Sequence, residues 1–156
     1  MLDVIAPPLL VAVAVQVVSQ LFKIALYSVR DRRFAPEYFV TAGGFPSAHA
    51  AFVSALTASV AVRAGVDSDL FAVSFVFSAI VIYDAYRLRG HVQEHARRLN
   101  LLSRRIQEVT RPRPGREDAH DPAESPVSEM VGHSIGEIVV GVVFGVLVAV
   151  AVIPLL

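Results

Sequence analysis

Residues 43–64 read GGFPSAHAAFVSALTASVAVRA. From Ser47 onward the run carries no formal charge until Arg63, close to its end, so it suits a lipid environment. Yet it opens on Pro46, Ser47 and His49. Titratable side chains are costly in hydrocarbon and, within membrane segments, usually face a bundle interior or a wet cavity. A histidine at the mouth of an apolar helix therefore points to a helical membrane bundle with a polar centre.

Three other stretches share this character. Val4–Val29 carries only Lys23 as a charge, Leu70–Tyr83 carries none, and Ile135–Leu156 carries only Glu137. Crossing a hydrocarbon core of ~30 Å takes about 20 apolar residues. The first and last runs meet that length alone and the middle two with their flanks. The sequence predicts an all-α integral membrane bundle, one domain over residues 1–156, with spans at 4–29, 47–65, 69–86 and 134–155. With 54% of 156 residues apolar and 18% charged, too few polar residues remain to enclose the shorter runs as a soluble core. The N-terminal run lacks a basic leader and exceeds a signal-peptide core, so it is expected to stay as an anchor. The absence of cysteine excludes disulfide and thiolate chemistry.

Fourteen basic and fourteen acidic residues cancel in sum but not in position. Arg30, Arg32 and Arg33 lie between the first two spans, and nine arginines from Arg87 to Arg116 lie between the last two. The turn between the second and third spans has Arg63 alone, balanced by Asp67 and Asp69. Short arginine-rich loops stay in the cytoplasm. The expected topology places both termini outside a bacterial-type plasma membrane and both basic loops inside.

Within the second basic loop, Leu88, Val92, His95, Leu99, Leu102, Ile106 and Val109 alternate in steps of four and three. That heptad stripe predicts an amphipathic cytoplasmic helix over 87–110, lying on the membrane surface or pairing with a second copy as a homodimer. Residues 111–127 are rich in proline and charge and read as a flexible linker.

On this topology every span carries its titratable residues to the cytoplasmic end: Lys23 and Arg30, Ser47 and His49, Asp84 with Arg87 and Arg89, His133 and Glu137. Each has a plainer reading. Lys23 and Arg30 serve as snorkelling anchors, Ser47 as a helix cap, and Asp84 as an ion-pair partner of Arg87 or Arg89. Jointly they describe an anion receptor of basic side chains and two helix N-termini, at Ser47 and Ser134. An anion at a membrane surface suggests a lipid phosphate. Two histidines beside it suggest phosphoryl transfer, one attacking phosphorus and the other protonating the leaving oxygen. His133 and Glu137, four apart, are expected on one helix face, where the carboxylate orients the ring.

These residues resemble the motifs of the type 2 phosphatidic acid phosphatase superfamily, which includes bacterial acid phosphatases and vanadium haloperoxidases. Lys23 and Arg30 have the lysine-to-arginine spacing of the first motif, with Asp31 in place of its proline. Pro46, Ser47, Ala48 and His49 follow Pro-Ser-Gly-His, with Ala48 for glycine. His133 and Glu137 match the end of the third motif, whose Ser-Arg is replaced by Pro126 and Val127. GGFPSAHAAFVSAL, YDAYRLR and GHSIGEIVVG are similar to the divergent bacterial and plastid branch. The resemblance implies His133 as nucleophile oriented by Glu137, and His49 as general acid. Lys23, Arg30 and Ser47 would bind phosphate, with Arg89 standing in for the missing motif arginine, Arg87 beside it and Asp84 in support. It implies a metal-independent phosphatase needing no cofactor, acting on phosphatidate-like lipids or prenyl diphosphates of the cytoplasmic leaflet, with no nucleic-acid partner. The alternative is a lipid-phosphate binder or structural membrane protein without catalysis. His91, Glu94 and His95 also spell an inverted zinc-peptidase spacing. Such a site needs a third ligand and a cavity, which an amphipathic arm does not supply. His120, in the linker, reads as solvated.

Overall fold

The computed structural model describes residues 6–39, 43–110, 126–129 and 131–156. Among them it contains five α-helices and no strand: α1 Pro7–Asp31, α2 Ala48–Ala64, α3 Asp69–Tyr83, α4 Arg89–Thr110 and α5 Ile135–Val152. Short 3₁₀ turns follow at Pro36–Phe39 and Ile153–Leu155. Most of the expected linker, residues 111–125, lies outside the described residues, as does His120.

Local chemistry sets the helix starts. Prolines occupy the first positions of α1, where a missing N–H costs nothing. The Ser47, Ser68 and Ser134 hydroxyls accept from the amides of Ala50, Phe71 and Glu137, capping α2, α3 and α5. Three stretches are long and apolar enough to cross a membrane: Pro7–Asp31, Asp69–Val109 and Ile135–Leu155. The second is nearly continuous, because a π-helical turn at Asp84–Leu88 joins α3 to α4. Its 41 residues extend about 60 Å at 1.5 Å per residue, twice the hydrocarbon thickness. The third expected span and the amphipathic arm are therefore one rod.

The 17-residue α2 is shorter than these three but is the hub of the bundle, packed on by α1, α3 and α5. Its start explains its length. Lys23, eight residues before the end of α1, donates from Nζ to the Gly43 carbonyl at 2.9 Å. The chain thus descends about 12 Å beside α1 before α2 begins. Gly43, Gly44, Pro46 and Ser47 are buried along that descent.

Hydrophobicity does not hold helices together in lipid, so small and polar residues must. A side-chain carbon added to Gly141 would collide with the Ser47 carbonyl oxygen, and one on Gly145 with that of Ala51. With Ala149, fully buried four residues on, they let α5 lie directly against the α2 backbone. On the other side of α2, Thr57 Oγ1 and Ser78 Oγ are 2.6 Å apart. One hydroxyl donates to the other, and the carbonyls of Ser74 and Val53 lie within 3.2 Å of Thr57 Oγ1 and 3.1 Å of Ser78 Oγ, tying α3 in place. Val11, Ala12 and Val15 of α1 pack against Ala51, Ala55 and Ala149.

Candidate functional site

Lys23, Ser47, His49, Asp84, Arg89, His133 and Glu137 gather at one end of the bundle. The His49 imidazole lies within electrostatic range of Arg89, His133, Lys23 and Asp84, and Lys23 within that of Glu137. Four helical segments thus contribute to one cluster. The side chains of Lys23, Ser47 and His133 are fully buried in it. His49 is half-buried, and its Nδ1 has no hydrogen-bond partner among the described residues.

His133 precedes α5 rather than lying on its face, since Ser134 is the N-cap. The expected helical spacing of His133 and Glu137 is replaced by a capping box. Glu137 reaches back from the third helical position, and its Oε2 accepts from the Ser134 amide at 3.0 Å. The same oxygen lies 3.1 Å from His133 Nδ1. The carboxylate thus meets the ring through the cap of α5 and not across a helix face.

The π turn supplies the rest. Its backbone bond runs from the Arg89 amide to the Asp84 carbonyl, five residues back. Residues five apart diverge by about 140° on an α-helix at 3.6 residues per turn, but the wider turn aligns them. Arg89 Nε donates to Asp84 Oδ2 at 2.8 Å, so Asp84 pairs with Arg89 rather than Arg87. The next carbonyl, of Ala85, accepts the His133 amide at 3.4 Å. A carbon on Gly132 would meet Gly90 Cα at 3.0 Å, so the segment just before His133 lies close on the start of α4. One helical irregularity thereby positions both Arg89 and His133. No motif in the sequence signals it; such turns recur at functional sites.

Two expected phosphate ligands stand apart. Arg87 is exposed. Arg30, seven residues beyond Lys23, lies about 10 Å further along α1, exposed, with its guanidinium 5.5 Å from the centre of the Tyr27 ring. That ring stacks on Tyr38 at 4.4 Å, and its hydroxyl accepts from the Phe45 amide, so Arg30 caps an aromatic pile that braces the descending loop. Ser47 spends its hydroxyl as the α2 cap, while its amide donates to the Glu137 carbonyl at 3.1 Å, locking the two helix starts together.

His91, Glu94 and His95 are exposed on α4, and Glu94 pairs with Arg98 at 2.8 Å. That guanidinium holds the Glu94 carboxyl below its ordinary value. Among the described residues, no three His, Asp or Glu side chains are grouped to hold a metal.

The arrangement that joins the buried lysine, the two histidines and the glutamate extends over most of the chain, and so does its family match. The Divergent PAP2 family profile matches residues 5–148. The chain belongs to that family. It is also similar to the uncharacterized membrane protein YuiD of Bacillus subtilis (strain 168), with 38% identity over 95 residues, 61% of this chain. The matched segment spans 60% of that relative's length. No solved structure matches the chain. The protein is a helical membrane protein related to the phosphatidic acid phosphatases.

Proposed function

We propose that this divergent PAP2 protein is a membrane-embedded phosphatase that hydrolyses a lipid phosphate or prenyl diphosphate at the cytoplasmic face through a phosphohistidine. The observation that carries this reading is the shared cluster of Lys23, His49, Arg89 and His133. Glu137 accepts from Nδ1–H of His133 and directs Nε2 to phosphorus. The phosphorus–oxygen bond to the lipid breaks, and protonated His49 gives its proton to the departing oxygen. Water then attacks the phosphohistidine, neutral His49 takes its proton, and inorganic phosphate leaves. Lys23, Arg89 and the N-termini of α2 and α5 stabilise the transferring oxygens.

The Lys23 ammonium donates to the Gly43 carbonyl, which holds it beside the start of α2. The unpartnered His49 Nδ1 supports a ligand here, since buried polar atoms are normally satisfied.

A second reading, phosphate binding without cleavage, is favoured by the position of Arg30, which leaves one cation fewer at the cluster, and by the ion pair that offsets Arg89. Phosphate release from short-chain phosphatidate and prenyl diphosphates in detergent, without added metal, separates the two. The phosphatase reading expects release that is lost in His133→Ala and His49→Ala with folding intact. Full activity in both variants would overturn the mechanism, and no release by the wild type across the panel would leave the binder.

A further inference from the structure

α3 and α5 both pack on α2 but diverge from each other, leaving a cleft of about 670 Å³. Its floor is Thr57 and Ala58 of α2, and its walls include Ala79 and Ile82 of α3 and Val142 of α5. One end reaches Tyr86 and Ile135, each two residues from a member of the polar cluster, Asp84 and His133. The cleft continues along α5 to Val146, eleven residues or about 16 Å from Ile135. That is about the depth of one leaflet, half of a ~30 Å hydrocarbon core.

We propose that this cleft seats a single apolar chain of the phosphate-bearing lipid whose head lies at the His49–His133 cluster. The inference rests on reading that cluster as a phosphate site, and it adds where the rest of the substrate goes. Charge and apolarity are arranged end to end, as an anionic single-chain amphiphile requires. The Thr57 and Ser78 hydroxyls along the cleft are engaged with each other and with backbone carbonyls, so the cleft favours an apolar guest. Clefts of 300–1,000 Å³ suit small ligands, and this one, at about 670 Å³, lies in that range.

The test uses the full chain in phosphatidylcholine nanodiscs with a fifteen-carbon alkyl phosphonate carrying a mid-chain diazirine. Adducts should concentrate on Ala79, Ile82 and Val142, and fall at least tenfold when unlabelled phosphonate competes. Ala79→Phe fills the cleft from an exposed position, so the fold is undisturbed. It should lower Ile82 and Val142 labelling at least tenfold while phenylphosphonate, which has no chain, still protects the cluster. Equal labelling of the exposed Phe77 and Val139, or labelling unchanged by Ala79→Phe, overturns the proposal. Crosslinks placing a second copy in the cleft overturn it as well. Cleft labelling without phosphate release by the wild type upholds the cleft and removes the phosphatase. Release with the same KM for long-chain and chainless substrates in wild type and Ala79→Phe does the reverse.

Discussion

A single oxygen of Glu137 serves both His133 and the helix that follows it, lying 3.1 Å from His133 Nδ1 and accepting from the Ser134 amide at 3.0 Å. Structure and chemistry therefore meet in one carboxylate, and two substitutions separate them. Glu137→Gln keeps an oxygen that caps the helix but removes the charge that, on the phosphatase reading, stabilises an imidazolium. It is expected to leave stability within about 0.5 kcal/mol, since Gln also fills this box position, while phosphate release falls about 10²–10⁴-fold, as for a neutralised triad carboxylate. Glu137→Ala loses the cap too and should cost a further ~1 kcal/mol. Denaturation in SDS beside kinetics checks both, and equal activity in wild type and Glu137→Gln would reduce Glu137 to a cap.

The contact of α5 with α2 gives a sharper stability contrast. A methyl at Gly145 is directed at the Ala51 carbonyl oxygen, a backbone atom that cannot rotate away. Gly145→Ala is expected to destabilise by about 1–3 kcal/mol, the usual cost of overpacking. At Gly136, on the same helix, an added carbon meets nothing within 4 Å. Gly136→Ala should be neutral or stabilising by up to about 1 kcal/mol, because alanine loses less entropy in a helix. SDS midpoints of the two variants check the difference in sign.

The helices were legible because lipid demands long apolar runs, and the cluster because few residues break those runs. Lys23, His49 and Glu137 are each conspicuous against valine and alanine. What was hidden depends on packing. Lys23 and Arg30 share a helix face at seven-residue spacing, but only the one beside the descending loop turns inward, while Tyr27 takes the other. The spacing of His133 and Glu137 suggests one helix face, but His133 stands before the N-cap Ser134. The π turn at Asp84–Leu88 leaves no mark in composition, since its residues continue an apolar helix into a basic one. The short α2 follows from a loop that enters the bundle, which apolar length alone does not reveal.

The α2–α3 contact rests on hydroxyls rather than on shape. Thr57→Val removes the 2.6 Å contact with Ser78 and the bond to the Ser74 carbonyl, leaving Ser78 its bond to Val53. Such bonds within membranes average ~0.6 kcal/mol, with a maximum near 1.7. A loss of about 1 kcal/mol in SDS denaturation is expected. A loss above 3 kcal/mol would mean that the pair organises the bundle rather than joining two of its helices.

The three arginines nearest the cluster should differ in effect. Arg89 is within range of His49 and held by Asp84, whereas Arg87 is exposed and Arg30 lies over Tyr27. On the phosphatase reading Arg89→Ala removes a cation from the transferring oxygens, and it should lower kcat/KM about 10²–10³-fold, comparable to losing one oxyanion donor. Arg89→Lys keeps the charge but loses the planar fork that meets Asp84, so only partial recovery is expected. Arg87→Ala should change kcat/KM less than threefold. Arg30→Ala should act through the loop, costing about 0.5–1 kcal/mol of stability for an exposed cation–π contact, with little change in kcat. Steady-state kinetics on all four variants checks the order. If Arg30→Ala lost as much kcat/KM as Arg89→Ala, Arg30 would have to reach the phosphate in the loaded state, by a movement of the Tyr27–Tyr38 stack that now holds it aside.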